Sequence, residues 1–398
     1  MVMSYHYGIP SQLLRFLGAC VYGDAKSFYA DLSDAGRAEL EAQGNSFGMA
    51  AWFYRYLHDV LPEEKKAAYR KIYQMRQMKA MICEQELKRL YHVLAGHGLR
   101  FVPIKGADLA YRLYPDTALR VFNDWDIWFH PDDCERAIAV LAEDGWKVLE
   151  RYSDDHEAVR KIAGHHYSPH RRGNNVLEPH FSLSNFENVD LNEMWKHTLE
   201  YPQGDGQRVL SPEMNLLMLG RHAATRSYYH AQIPKLAVDA AMVMRKEKVD
   251  FTALRELAAR WHLPYPGDLL AAFPEFFPAE TIDAFGADPA KTNVFRKIFE
   301  TRDLLGETEN TSLLLSRFET NGMVARGILN RIRTHNAFMM RCMYRLPKEG
   351  AWGRLLWAYV SWFWTRTWMA AGWIRRDRRL KKYGCLVESV ESGSCLPR

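Results

Sequence analysis

Apolar side chains recur at intervals of three and four residues through the first quarter of the chain. This interval matches the turn of an α-helix, so it predicts helices that each bury one face. The clearest run contains Leu87, Leu90 and Leu94 and stops near Gly98. Glycine often ends a helix because it adopts left-handed backbone angles without strain. We therefore predict that residues 1–98 form an N-terminal helical region.

The pattern changes at about Leu99 to shorter apolar runs. Phe101–Ile104, Val121–Phe129 and Trp146–Leu149 are rich in aromatic and β-branched residues, which favour strands. Helical spacing between these runs predicts that strands and helices alternate. We predict that residues 99–200 form a small mixed β-sheet covered by helices.

A further strand is predicted around Glu178, because alternating residues follow a turn signal at Gly173–Asn175. The segment 163–167 is its expected hairpin partner. Pro179 lies inside this strand and cannot donate a ladder hydrogen bond. The strand is therefore expected at the edge of the sheet or at a bulge.

Helical spacing returns after Ser211 and Pro212, which are typical of an N-cap and a first helical position. It predicts a C-terminal helical region over residues 201–350, followed by an aromatic and basic helix and tail over residues 351–398. The predicted fold class is thus α+β, with a small mixed β-sheet core flanked by N- and C-terminal helical regions.

The apolar run Leu355–Ile374 is followed by a cluster of basic residues, Arg375, Arg376, Arg378, Arg379, Lys381 and Lys382. Three interpretations stay open: a helix that packs or binds a partner protein, a helix on an anionic membrane surface, or a membrane span. Arg366 near the centre of the run disfavours the span, because a central arginine costs about 2.5–3.5 kcal/mol on insertion scales. Residues 351–382 are therefore the expected site of peripheral membrane or protein contact.

Composition narrows the class of protein. The chain has 398 residues, enough for two or three domains, and a net charge of +5, too small to indicate a nucleic-acid partner. Its six cysteines show no metal or redox spacing, which suits a reducing cytoplasm. The N-terminus lacks the basic and apolar segments of an export signal. We expect a cytoplasmic protein, with the inner membrane surface as an alternative location.

Two acids stand out in the predicted strand Val121–Phe129. Asp124 and Asp126 are two residues apart, so on a strand both side chains leave from the same face. Two carboxylates in an apolar strand repel each other and are costly to desolvate. A divalent metal removes this cost, and Mg²⁺ prefers hard oxygen ligands. The alternative is a strand end at which both acids face water.

The residues around this pair form an ordered series: a strand ending on Lys105-Gly106, a short helix closing on Tyr114-Pro115, Arg120, the two acids, a helix, and a Gly145-Trp146 turn. This series resembles the uncharacterised nucleotidyltransferase family, which has a polymerase-β-like fold. The resemblance is close over Phe101–Trp146 and looser to about Leu263.

The resemblance implies transfer of a nucleoside monophosphate from a nucleoside triphosphate to an unidentified acceptor. Such a reaction needs a third acid, because two metal ions must be held against the phosphates and the incoming hydroxyl. Glu178, two residues before His180, lies where the family has a Glu-Leu-His-like triplet, and this chain has Pro179 in its middle. Asp124, Asp126 and Glu178 are therefore the expected catalytic and metal-binding residues, for two Mg²⁺ ions or, alternatively, Mn²⁺.

Four further residues are expected to bind the nucleotide or its phosphates. Lys105 lies where a strand ends and a helix begins, and Gly106 lets the backbone approach a ligand. Arg120 is expected either to neutralise phosphate charge or to pair with one of the acids. His180 is either a ligand-binding group or a hydrogen-bonded structural residue.

A non-catalytic interpretation also stays open. Trp125 is bulkier than the aliphatic residue usual in the family, and Pro179 interrupts the third acid's strand. Either change could mark a degenerate site in a nucleotide-binding sensor, or in a scaffold that acts through its aromatic C-terminal helix. His222 and Asp239 are expected either to join two helices as buried partners or to bind the base or the acceptor.

Overall fold

The computed structural model of the chain describes residues 11–149, 165–183, 186, 189–201, 207–225, 229–300, 350, 352–361 and 364. The chain divides into two units, Met1–Arg326 and Gly327–Arg398. The four regions expected from the sequence stay a prediction.

Helices precede the sheet, as the hydrophobic spacing predicted. They are α1 (Ser11–Tyr22), α2 (Ala25–Ala30), α3 (Asp34–Ser46), α4 (Ala50–Leu57) and α5 (Glu63–Gly96). The long helix α5 buries Leu87, Leu90 and Leu94 along one face. It stops just before Gly98, whose φ of 65° takes the chain out of the helix.

The first unit contains a five-stranded mixed sheet. Its strands are β1 (Phe101–Ile104), β2 (Trp125–Phe129), β3 (Lys147–Val148), β4 (His170–Arg172) and β5 (Asn175–His180), in the order β1-β2-β5-β4-β3. The pair β2–β5 is parallel, and the other neighbours are antiparallel. A second sheet pairs β6 (Thr198–Glu200) with β7 (Arg208–Leu210). The predicted α+β class with a small mixed sheet is confirmed.

Three predictions about the strands were wrong. β2 begins at Trp125, so Asp124 precedes the strand and does not belong to it. The hairpin partner of β5 is β4, which reaches it through a tight turn at Gly173 (φ 58°). Of the expected partner segment 163–167, His166 forms only an isolated bridge to His180, and residues 163 and 164 lie outside the described residues.

The third error concerns Pro179, because β5 is the central strand of the sheet and not an edge. Central strands rarely contain proline, since it lacks the N–H that a ladder requires. Here the ladder with β4 ends at the pair His170–Leu177, two residues before Pro179. Beyond that point Pro179 acts as an acceptor, and the Tyr167 N–H donates to its carbonyl oxygen at 2.8 Å.

One face of the sheet packs against α5 and α7 (Cys134–Glu143) in a hydrophobic core. Trp125, Ile127 and Phe129 of β2 and Leu177 of β5 are buried there. Because side chains alternate along a strand, Asp126 lies on the opposite face. The sheet thus separates an apolar core from a face that carries charge.

Other helices connect or follow the strands: α6 (Gly106–Arg112), α8 (Leu191–Trp195), α9 (Pro212–Thr225), α10 (Tyr229–Lys246), α11 (Phe251–Arg260), α12 (Pro266–Leu270), α13 (Ala279–Phe285) and α14 (Pro289–Glu300). The predicted start of α9 is confirmed. Pro212 is its first residue, and the Ser211 hydroxyl accepts a hydrogen bond from the Met214 N–H at 3.2 Å.

A buried ion pair joins α10 to the loop that precedes β2. The guanidinium of Arg120 donates to both carboxylate oxygens of Asp239, at 2.7 and 2.9 Å. The hydroxyl of Tyr114 also donates to Asp239, at 2.6 Å. Asp239 therefore joins elements 119 residues apart in sequence. Its expected pairing with His222 stays a prediction.

In the second unit the described residues 352–361 are helical, as is residue 364. Trp352, Leu356, Val360 and Trp364 are exposed and four residues apart, so they share one face of this helix. Most of the predicted aromatic and basic helix lies outside the described residues. Among those that are described, no helix has the length and apolar character needed to cross a bilayer.

Candidate active site

The parallel pairing of β2 with β5 brings the key side chains together. Asp126 lies opposite Glu178, and Trp128 lies opposite His180. Asp126, Glu178 and His180 each offer a donor atom on the charged face of the sheet, and these three atoms lie within 4.8 Å of one another. Of the three acids expected from the sequence, the structure therefore brings Asp126 and Glu178 together.

Asp126 is the buried centre of this group, with 4% of its surface exposed. Its Oδ1 accepts a hydrogen bond from the Lys105 ammonium at 2.6 Å and lies 2.9 Å from Nε2 of His180. Burial raises the pKa of Asp126, but Lys105 and His180 outweigh it and hold that pKa well below its usual range. Asp126 is thus an ionised carboxylate.

Asp124 lies beside the group but outside it. It is partly buried in the irregular segment before β2, where the alternation of strand side chains has not yet begun. Burial and the nearby charge of Asp126 raise the pKa of Asp124, while Lys105 and Lys235 act in the opposite direction. These interactions place its carboxyl within electrostatic reach of Asp126.

Lys105 has an unusual backbone conformation, with φ 55° and ψ −125°. Residues with a Cβ rarely adopt such angles, which cost on the order of 1–3 kcal/mol. The strained residue joins β1 to α6 and directs its ammonium to Asp126. The strain is therefore located at the residue that neutralises the buried acid.

Gly106 follows directly and packs tightly against the loop before β2. A Cβ at this position would lie 2.5 Å from Cβ of Phe122, closer than real atoms approach. The packing of Phe122 therefore requires glycine at position 106. The sequence had suggested a different reason for this glycine, the close approach of the backbone to a ligand.

Arg120 and His180 have different neighbours from those that phosphate binding would require. Arg120 is 6% exposed and bonded to Asp239, which is not one of the paired acids. His180 is fully buried against Asp126. Each was expected either to bind phosphate or to have a structural partner, and in this structure each contacts a carboxylate. Their role in phosphate binding stays a prediction.

Three imidazole rings lie next to the acids. The ring centroids of His165, His166 and His180 are 4.8–5.3 Å apart. Burial and the neighbouring His180 and His166 lower the pKa of His165 to about 2. Burial also lowers the pKa of His180, although Asp126 acts in the opposite direction.

Lys235 is a charged residue of the site that the sequence analysis missed. It lies on α10 one helical turn before Asp239, so both side chains leave from the same side of the helix. Burial and Arg120 lower the pKa of Lys235 to about 8, although Asp239, Asp124 and Asp126 act in the opposite direction. The sequence feature that could have identified Lys235 is its position four residues before Asp239 in an otherwise apolar stretch.

The residues of the site fit a divalent metal ion. Two carboxylates and an imidazole are common metal ligands, and their donor atoms already converge. Lys105 and Lys235 would then be available to bind an anionic ligand next to the ion. The arrangement suits chemistry on a phosphate ester or anhydride.

A family model described as "Uncharacterised nucleotidyltransferase" matches residues 51–271. The match extends from α4 to just beyond α12 and includes both sheets and α10. No curated protein and no solved structure matches the chain.

The strain at Lys105 can be tested with two substitutions. Lys105→Gly and Lys105→Ala both remove the ammonium, but only glycine adopts these backbone angles freely. We expect the free energy of unfolding of Lys105→Gly to be about 1 kcal/mol higher than that of Lys105→Ala, measured by urea denaturation. As a control, the same two substitutions are made at Lys71, which is exposed within α5. There the alanine variant should be the more stable, because alanine favours a helix more than glycine does. Equal stability of the two Lys105 variants would show that the residue is unstrained.

Proposed function

Because the chain belongs to the family of uncharacterised nucleotidyltransferases, we propose that it is a metal-dependent enzyme that transfers a nucleoside monophosphate from a nucleoside triphosphate to an acceptor hydroxyl. The observation that carries the proposal is the parallel register of β2 and β5, which sets Asp126 opposite Glu178. The acceptor is left open, since the same chemistry suits any alcohol.

Asp126 and Glu178 would hold the metal, with Asp124 at the margin of the site as the third expected acid. The proposal includes two divalent ions, Mg²⁺ or Mn²⁺. When bound, such ions lower the pKa of the acceptor hydroxyl and neutralise charge on the attacking and leaving oxygens.

In the proposed reaction the acceptor oxygen forms a bond to the α-phosphorus. The bond from that phosphorus to the bridging oxygen breaks, and pyrophosphate leaves. The hydroxyl proton passes to a carboxylate of the site. Asp126 is a weak base because Lys105 and His180 hold its pKa low. Glu178, on the same face and less buried, is the proposed proton acceptor.

The two lysines would bind the phosphates. Lys105 is 12% exposed at its side chain and reaches Asp126, so its ammonium lies at the centre of the site. Lys235 approaches from α10 and interacts with both Asp124 and Asp126. Arg120 is proposed as a positioning residue, because its pairing with Asp239 fixes the helix that carries Lys235.

The non-catalytic alternative was based on the bulk of Trp125 and on the position of Pro179 in a strand, and neither feature disrupts the site. The side chain of Trp125 packs edge-on against Trp146 in the core, on the face opposite Asp126, so its bulk does not fill the site. Pro179 lies in register opposite Ile127 and leaves the strand intact. Both observations favour an enzyme over a degenerate scaffold.

We also propose that the second unit contacts an anionic membrane surface, with a partner protein as the alternative. The exposed face containing Trp352, Leu356, Val360 and Trp364 supports this proposal, since tryptophan and aliphatic residues favour the membrane interface. The basic residues at positions 375–382 follow in the sequence but lie outside the described residues. A cytoplasmic location stays a prediction.

The metal site can be tested by nucleotide binding. We expect Asp126→Asn and Glu178→Gln each to weaken divalent-dependent binding of ATP, GTP, CTP or UTP at least about tenfold, measured by calorimetry, because each removes a metal ligand. Exposed Asp283→Asn and Glu143→Gln serve as matched controls. Binding that survives both site substitutions would remove the metal-site proposal. Pyrophosphate release with a panel of acceptor alcohols then separates an enzyme from a sensor.

Lys235 can be tested against a lysine on the same helix. We expect Lys235→Met to weaken binding of the preferred triphosphate by about tenfold, because it removes a charge-assisted contact to phosphate. Lys246 is exposed at the end of α10, and Lys246→Met should leave the affinity unchanged. Equal affinities of the two variants would exclude Lys235 from the phosphate site.

Membrane contact can be tested by vesicle flotation of the full chain. We expect the protein to float with anionic phosphatidylglycerol vesicles and the double variant Leu356→Glu, Val360→Glu to remain behind, since both positions are exposed on the apolar face. Val60→Glu, also at an exposed position, is the control. Equal flotation of the wild type and the double variant would contradict the proposal.

A further inference from the structure

The ring of His180 lies between two hydrogen-bond acceptors. Its Nδ1 lies 3.3 Å from the carbonyl oxygen of Ser182, and its Nε2 lies 2.9 Å from Oδ1 of Asp126. Both neighbours are acceptors, whereas a neutral imidazole carries a single N–H. In either tautomer, one ring nitrogen therefore directs a lone pair at an oxygen.

A proton on both nitrogens would remove this imbalance between donors and acceptors, but it would place an imidazolium in a site that is fully buried. Burial in a medium of low polarity works against the charged ring. A metal cation between Nε2 and the carboxylates would remove the imbalance without protonating the ring. The lone pair of Nε2 and a lone pair of Asp126 Oδ1 would then both point to the positive ion. Nδ1–H can donate to Ser182 while Nε2 binds the ion.

His166 has the same orientation relative to the acids. Its Nδ1 lies 2.6 Å from the carbonyl oxygen of Tyr167. Its Nε2 lies 4.0 Å from Oε2 of Glu178, and Nε2 of His180 lies 4.0 Å from the same oxygen. Proteins commonly orient metal-binding histidines in this way, by fixing Nδ1–H on a carbonyl and directing Nε2 to the metal.

We propose that His180 is a metal ligand through Nε2, with Asp126 and Glu178, and that the site selects Mn²⁺ over Mg²⁺. His166 is the next nitrogen donor towards the same ion. The inference rests on the proposed metal-dependent function and adds a nitrogen ligand and the identity of the ion. It replaces the phosphate-binding role first expected of His180.

The preference for the ion follows from ligand chemistry. Mg²⁺ requires oxygen ligands and keeps several waters, so it gains little from an imidazole. Transition-metal ions bind imidazole as well as carboxylate, and Mn²⁺ also accepts the oxygen-rich set that phosphates complete. A site with two carboxylates and at least one imidazole is therefore expected to bind Mn²⁺ more tightly than Mg²⁺.

The test uses the full chain after chelator treatment, titrated with MnCl₂ or MgCl₂ in the absence of nucleotide. We expect Mn²⁺ to bind at least about tenfold more tightly than Mg²⁺ in calorimetry. Pulsed electron paramagnetic resonance of bound Mn²⁺ should show coupling to a directly bound ¹⁴N nucleus. This measurement on the wild type needs no variant to fold.

The key substitution is His180→Gln, which exchanges the nitrogen donor for an amide. It should lower Mn²⁺ affinity about tenfold, lower Mg²⁺ affinity by a smaller factor and reduce the ¹⁴N signal. His170→Gln is the matched control, because His170 is also buried in the sheet, has Nδ1 near a carbonyl oxygen, and lies outside the ligand group.

The outcomes separate this inference from the proposed function. If Mn²⁺ binds through Asp126 but shows no ¹⁴N coupling, His180 is not a ligand and the inference is overturned, while the metal-dependent function stands. Equal affinity of the wild type for Mn²⁺ and Mg²⁺ overturns the selectivity. If neither ion binds, with or without nucleoside triphosphate, both the inference and the proposed function fail.

Discussion

Asp126 lies on a sheet strand whose other residues are tryptophan, isoleucine and phenylalanine. An ionised carboxylate in such surroundings is stable only if nearby groups compensate its charge, since an uncompensated buried ion costs several kcal/mol. The compensating charge comes from the Lys105 ammonium, beside the ring of His180, and the need for it determines much of the local structure. It explains why Lys105 tolerates strained backbone angles and why a histidine is completely buried on β5. The chemistry proposed for the protein depends on this one buried charge.

A second buried charge connects the helical region to the sheet. Asp239 on α10 is bonded to Arg120 and Tyr114 at the entrance to β2. Removing one partner of such a pair is strongly destabilising, because the other remains buried and unpaired. The pair therefore fixes α10 against the loop that carries Asp124. Lys235, one turn away on the same helix, is brought to the site by this contact.

The two faces of the sheet have different roles: one packs into the hydrophobic core, and the other carries the candidate site. Trp125 and its alternate neighbours on β2 pack into the core with α5 and α7. Asp126, Glu178 and His180, the proposed metal ligands, lie on the other face. Because the periodicity of a strand is two residues, one sequence serves both purposes. This division also explains how the bulky Trp125 can precede Asp126, a proposed metal ligand, without obstructing the site.

The helices and the mixed sheet could be predicted from the sequence, because they follow from local periodicity. The grouping of Asp126 with Glu178 was predicted from the resemblance to a family. Tertiary structure decided what depends on distant partners. It excluded Asp124 from β2, made β5 central and gave Arg120 to Asp239, 119 residues away. It also added Lys235 to the site. Strand register and ion pairing join segments far apart in the chain, so the spacing of neighbouring residues carries little information about them.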